Sequence, residues 1–256
     1  MTRRPAQNNF VKKYELIFFA TADELARTVA SAWLDEVETA NRADRPHCVA
    51  LSGGRITKKL FGAVVEQAKT RAVSFSRVHF FWADERCVPP DDPESNFKLA
   101  SELLLTPLKI PENQVHRLRG EDSPAAAVKM AELELRQVAG GAGNSAGVPR
   151  LDLILLGMGE DGHVASLFPT APAEIVHCTA PFLAVENSSK PPPRRISLSY
   201  AAVAAASQVW VLVSGAGKEK ALRESLDFSG KTPLGRVIQL RQKTLIFSQI
   251  EPDKKI

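Results

Sequence analysis

The stretch Leu151-Asp-Leu-Ile-Leu-Leu-Gly157-Met-Gly159-Glu-Asp161-Gly162-His163-Val-Ala-Ser166-Leu-Phe-Pro169 constrains this chain most. Its first six residues are mostly apolar and read as a buried strand. Glycines at 157, 159 and 162 then turn the chain sharply, and the turn carries an acid and a histidine, Asp161 and His163. Pro169 and Pro172 leave room for only a turn or two of helix around Ser166 to Phe168. Catalytic groups in open α/β sheets gather at the carboxyl ends of strands, so chemistry is expected at this turn.

The same run fits the dinucleotide pattern G-x-G-x-x-G, with Glu186 at the end of a later strand as a candidate ribose partner. That pattern needs a long helix after the third glycine to hold a pyrophosphate at its N-terminus. Prolines here cut the helix to about seven residues. NAD(P) is therefore not expected, and neither is any other cofactor. A histidine directly after the last glycine is explained by a reaction; the bland alternative is a side chain that caps the turn.

Other strand ends carry similar signals. Cys48-Val-Ala-Leu51 runs into Ser52-Gly53-Gly54-Arg55 before a helix to about Lys69. Glycines at such a junction let backbone N–H groups close around an anion where the helix dipole also favours negative charge. A plain tight turn is the alternative. Val78-His-Phe-Phe-Trp82 ends in Asp84-Glu85-Arg86, a triplet badly placed for packing and well placed for a site. Arg86 can fork onto a phosphate or hold a carboxylate, the alternative being a loop ion pair. Cys87 beside it reads as a bystander. Lys190-Pro-Pro-Pro-Arg194-Arg195 brings a basic residue to a strand start, and Val209–Val213 ends in Ser214-Gly215-Ala-Gly217-Lys218. One such glycine turn is common, and Lys218 alone is as easily a solvated lysine. The turns at 52–55 and 214–218, with Arg86, point together to a phosphate pocket.

Between these signals, Glu15 to Ala20 reads as a strand, and Thr21 with Glu24 as a capping box for a helix burying Leu25, Val29, Trp33 and Val37. Ser95 caps a helix to Leu105, and Ser123-Pro124 opens one to about Ala139. Further strands are expected near Phe182–Glu186, Arg195–Ser199, Gln208–Val213 and Thr244–Ser248. This alternation gives an α/β fold with a mostly parallel sheet and helices on both faces. At 256 residues and 44% apolar content the chain can bury a substantial core. It is read as a single domain, 1–256, with mobile tails at 1–13 and 251–256 and a mobile glycine-rich loop at 140–148. Site-like residues lie on both sides of that loop and have to meet.

A formal charge of +4 favours an anionic ligand. No Lys/Arg cluster interleaved with aromatics suggests nucleic acid, and no apolar run approaches the length of a membrane span. The apolar run Leu16–Ala20 is too short for a signal peptide, and three cysteines without motif spacing suit a reduced cytosol, so a cytoplasmic location is expected. No metal-ligand spacing is present. The oligomeric state is left open, a monomer included.

Taken together, Ser52-Gly53-Gly54, Asp84-Glu85-Arg86 with Val88-Pro89 and Ser95-Asn96, the run from Gly157 to Pro169, Arg195-Ile-Ser-Leu-Ser199 and Gly215-x-x-Lys218 resemble the 6-phosphogluconolactonase family over nearly the whole chain. Related glucosamine-6-phosphate deaminases share Asp-Gly-His but continue differently from Ala165-Ser-Leu-Phe-Pro169. The sequence departs from many members at Arg55-Ile56-Thr57. The resemblance implies a Rossmann-like three-layer α/β/α fold, shared with those deaminases, ribose-5-phosphate isomerase and the CoA transferases. It also implies hydrolysis of 6-phospho-D-glucono-1,5-lactone to 6-phosphogluconate, the second step of the oxidative pentose phosphate pathway. His163 would then be the base, and Asp161 would orient it or cap the turn. Arg86, Arg195, Lys218 and the Ser52–Arg55 turn would hold the phosphate. Two alternatives stand beside this reading: an isomerase or deaminase with Asp84 abstracting a carbon-bound proton, and an inactive sugar-phosphate-binding regulator.

Overall fold

The computed structural model describes residues 12–139 and 147–251. Strand β1 (Tyr14–Phe18) leads to helix α1 (Ala22–Arg42). Thr21 starts that helix: its hydroxyl accepts the Glu24 N–H at 3.1 Å, and Glu24 Oε2 accepts the Ala20 N–H at 3.2 Å. The stripe Leu25, Val29, Trp33 and Val37 is buried, as its spacing predicts. Next come β2 (His47–Leu51), α2 (Arg55–Arg71), β3 (Val78–Trp82) and β4 (Asp84–Arg86). Helix α3 (Asn96–Ala100), capped by Ser95, widens into a π turn at Ser101–Leu105. The order closes with α4 (Pro124–Ala139), β5 (Leu153–Gly157), α5 (Ala173–Val176), β6 (Phe182–Val185), β7 (Arg195–Leu198), α6 (Tyr200–Ala205), β8 (Gln208–Val213), α7 (Glu219–Leu226), α8 (Pro233–Leu240) and β9 (Thr244–Ser248).

Six strands form a parallel sheet in the order β1-β9-β8-β5-β2-β3. Every residue of β2 is buried, as are nearly all of β5 and β8, so helices must cover both faces. The winding reverses beside β2, where β3 lies on one side and β5 on the other. Such a switch point opens a crevice at the carboxyl ends of the strands. Register sharpens this: Leu51 lies beside Trp82, and Gly157 beside Leu212. The turns that follow β8, β5, β2 and β3 therefore emerge side by side.

The structure differs from the sequence expectation at two places. β6 and β7 do not join the parallel sheet; they pair antiparallel with each other and with β4 in a second sheet, β4-β7-β6. Residues 186–194 between them hold no helix, and a parallel return needs a longer crossover. Residues 166–168 form no helix either. Val164 and Leu167 close a tight turn with Ala165 left-handed at φ 49°. Here the Ser166 N–H goes to Ser197 Oγ at 3.2 Å rather than to a helical carbonyl. Of the segments expected to be mobile, residues 1–11, 140–146 and 252–256 lie outside the described residues. Within the expected N-terminal tail, the Lys13 carbonyl accepts the Thr244 N–H at 2.9 Å, and Val148, the last residue of the loop expected to be mobile, is buried.

Candidate active site

The loop after β5 folds back on itself: Gly162 N–H donates to the Gly159 carbonyl at 3.1 Å, and Gly159 N–H to the His163 carbonyl at 2.9 Å. A Cβ on Gly159 would stand 2.1 Å from Nδ1 and Cε1 of His163, so the imidazole rests on bare backbone that only glycine offers. His163 Nδ1 is 2.5 Å from Asp161 Oδ1, which also accepts the His163 N–H at 3.2 Å. The Phe168 ring packs against the imidazole at 4.8 Å. Burial pushes the Asp161 carboxyl up, but the hydrogen bond from His163 and its charge outweigh that and hold it below the ordinary carboxylate range. An ionised Asp161 keeps the proton on Nδ1, leaving Nε2 as the acceptor.

Facing this dyad is a glycine turn with two cationic side chains near it. Helix α2 starts at Gly54, φ 112°, with no side-chain cap and no acid in its first turn, so its leading N–H groups carry no carboxylate. Ser52 Oγ is buried without a hydrogen-bond partner among the described residues. Gly53 lies on Asn96, whose Oδ1 would be 1.9 Å from an added Cβ. The Arg55 guanidinium sits over Gly215, its Nη2 3.4 Å from where a Cβ would be. Burial, and then the charge of Arg55, lower the Lys218 pKa against the opposing pull of Glu160. Among the described residues neither Arg55 nor Lys218 makes a salt bridge or a side-chain hydrogen bond. Two cations held together with no ion-pair partner in contact favour an anionic ligand between them.

The other wall centres on Asp84, which is 5% exposed. Its Oδ2 accepts the Ser166 hydroxyl at 2.7 Å, and Asn96 Nδ2 donates to its carbonyl at 2.9 Å. Arg195 Nη1 lies 3.9 Å from Oδ2. The rest of that guanidinium is spoken for: Nε donates to the Pro192 carbonyl, and Nη2 to those of Lys190 and Pro191. Arg195 thus ties the proline loop to the site and steadies Asp84, with Phe168 beneath it at 5.6 Å. Arg86 reaches Glu94, but its Nε is buried without a partner. Glu85 faces away and accepts the N–H groups of Arg86, Asn96 and Phe97 and the Ser95 hydroxyl. Burial raises its pKa, tempered by those donors. The charged triplet therefore divides its duties between the site and the start of α3.

One cavity of about 150 Å³ is lined by Ser52, Gly53, Gly54, Arg55, Asp84, Arg86, His163, Arg195 and Lys218. Asp161 supports the imidazole from outside it. Ser214, in the 214–218 turn, lines the wall as well, and so do Asn96, Met158 and Ala165, to which the sequence assigns no role of their own. Asn96 had a signal, the helix start that Ser95 caps; the tie from Ser166, in the turn after β5, to Asp84 on β4 had none. Cys87 keeps its thiol, since burial pushes its pKa up. Among the described residues no cluster of His, Cys, Asp and Glu is placed to hold a metal ion, and no helix is long and apolar enough to cross a membrane.

Fold and site together define an α/β protein of the switch-point class, with a histidine–aspartate dyad beside a cavity lined by Arg55, Arg86, Arg195 and Lys218. The family model described as glucosamine-6-phosphate isomerases/6-phosphogluconolactonase matches residues 20–247. A Mycobacterium tuberculosis protein named 6-phosphogluconolactonase is 38% identical over 210 residues, 81% of this chain and 84% of that one. The solved 6-phosphogluconolactonase of Trypanosoma brucei superposes with a TM-score of 0.80 at 26% identity, covering 93% of this chain and 97% of that one. A monomeric glucosamine-6-phosphate deaminase shares the fold, with a TM-score of 0.74 at 16% identity over 93% of this chain and 97% of its own. The chain belongs to the glucosamine-6-phosphate isomerase/6-phosphogluconolactonase family.

Proposed function

We propose that this protein is a 6-phosphogluconolactonase, hydrolysing 6-phospho-D-glucono-1,5-lactone to 6-phospho-D-gluconate in the oxidative pentose phosphate pathway. The observation that carries the reading is the Asp161-oriented imidazole of His163 in one cavity with the unpaired cations Arg55 and Lys218. A lactone is an activated ester, so its hydrolysis needs a water, a base and a place for the oxyanion. His163 Nε2 takes the proton of a water as its oxygen attacks the lactone carbonyl carbon. The resulting imidazolium, steadied by Asp161, returns the proton to the ring oxygen as the ring C–O bond breaks. Backbone N–H groups of the glycine turns receive the transient oxyanion.

Arg55, Lys218 and the N–H groups at Ser52–Gly54 grip the 6-phosphate, with Arg86 Nε as a further donor. Asp84 accepts sugar hydroxyls, and Arg195 steadies it. The deaminase alternative asks Asp84 to carry a proton, but its Oδ2 already holds the Ser166 hydroxyl and faces Arg195. The regulator alternative leaves the dyad without a use. The single-domain reading is supported by one apolar cluster that runs from α1 to β9. Three free cysteines support a cytoplasmic setting.

The test is acid release from freshly generated 6-phosphogluconolactone, followed by pH-stat. Turnover well above the spontaneous rate is expected; a rate equal to the protein-free control contradicts the proposal.

A further inference from the structure

The loop that carries His163 is held from behind by the junction of α7 and α8. Gly162, at φ 78°, lies so close to Thr232 that an added Cβ would come within 2.8 Å of Thr232 Cβ and 3.5 Å of Ser225 Oγ. The Gly162 carbonyl accepts the Leu234 N–H at 3.1 Å. Ser225 on α7 and Thr232 at the start of α8 are both buried, and their hydroxyls meet at 2.6 Å. A hydroxyl has one proton, which fixes the direction of this contact. Ser225 spends its proton on the Ala221 carbonyl at 2.6 Å, so Thr232 donates to Ser225 Oγ while accepting the Gly235 N–H at 3.0 Å. The chain Gly235 to Thr232 to Ser225 to Ala221 thus locks the two helices together.

The same helix α7 begins at Lys218, whose carbonyl accepts the Leu222 N–H at 2.8 Å, and Ser225 lies two turns further on the same face. One contact therefore touches both functional parts: Lys218 through α7, and His163 through Gly162. We propose that Ser225 and Thr232 are positioning residues that hold Lys218 and His163 at a fixed separation. Packing alone would be served by apolar side chains, without burying two hydroxyls. The catalytic readout rests on the lactonase reading above.

The variants are Ser225→Ala, Thr232→Val and Thr232→Ser, assayed where circular dichroism shows each folded. Ser225→Ala and Thr232→Val should lower kcat/KM for 6-phosphogluconolactone by about 10-fold or more, kcat falling and KM rising together, because misplacement by a fraction of an ångström is felt by both groups. Thr232→Ser keeps the hydroxyl and should recover most of the loss. On unphosphorylated gluconolactone the loss should be smaller and confined to kcat. Should Thr232→Val fail to fold, Ser225→Ala, which keeps the α8 cap, decides. Folded Ser225→Ala with wild-type kcat and KM and only a lower Tm overturns the proposal. The ¹⁵N resonances of the His163 ring give a readout independent of turnover and should move in Ser225→Ala. If the wild-type protein hydrolyses no lactone, the functional reading fails, and an unmoved His163 resonance then overturns the clamp as well.

Discussion

His163 Nδ1 lies 2.5 Å from Asp161 Oδ1, and both residues belong to one glycine-folded loop. The pair is thus set by local backbone rather than by the meeting of distant elements. Asp161→Asn removes the charge that supports the imidazolium and the group that fixes the tautomer, so kcat should fall by about 10²–10⁴ with the fold intact. The Asp161 carboxyl is held below its ordinary range, so its stabilising effect is present above the unfolded value and lost as pH falls through the folded one. Thermal unfolding measured from neutral pH down into acid should show the wild-type advantage over Asp161→Asn shrinking as pH falls.

The proposed phosphate grip should be separable from the chemistry. Lys218→Ala should weaken kcat/KM for 6-phosphogluconolactone by about 2–4 kcal/mol, the scale of a truncated charge contact removed from solvent. Arg55→Ala should show the same pattern in milder form, being more exposed. Neither should matter much for unphosphorylated glucono-1,5-lactone, which never made the contact. Equal losses on the two lactones would remove these residues from phosphate binding.

Gly159→Ala should resemble loss of the base itself. The new methyl would stand 2.1 Å from the His163 ring, so the ring must leave. A drop in kcat of about 10²-fold or more is expected, with little change in phosphate affinity measured by titration. Activity near wild type would mean that the imidazole does not rest on Gly159.

Ala165 holds a left-handed backbone, φ 49°, in the turn that aims Ser166 at Asp84. Ala165→Gly removes the Cβ penalty of that conformation and should raise stability by about 1 kcal/mol, read as a higher denaturation midpoint in urea. A lower midpoint would show that the alanine methyl contributes more by packing than its backbone costs.

Much of this site was legible because its parts are local. Asp161 and His163 sit in one turn, and the cradle at 52–55 and Lys218 each follow a strand in sequence. Strand order then brings those turns together, and the alternating pattern of strands and helices already implied a mostly parallel sheet with helices on both faces. What the sequence hid is what depends on pairing across the fold. Asp84–Arg86 reads as a loop triplet but becomes a strand only because β7 comes to lie beside it. Arg195 reads as a phosphate ligand, yet most of its donors go to the carbonyls of the proline loop, a choice made by tertiary folding. The contact between Ser225 and Thr232 joins two helices whose polar residues look unremarkable in sequence.

The account turns on His163 acting as the base for this lactone. Its most direct test is kcat for freshly generated 6-phosphogluconolactone with wild-type protein and His163→Ala measured side by side, both folded by circular dichroism. The account predicts a fall of about 10²–10⁴ in the variant, the range expected for a lost general base. Turnover by His163→Ala close to wild type would contradict it.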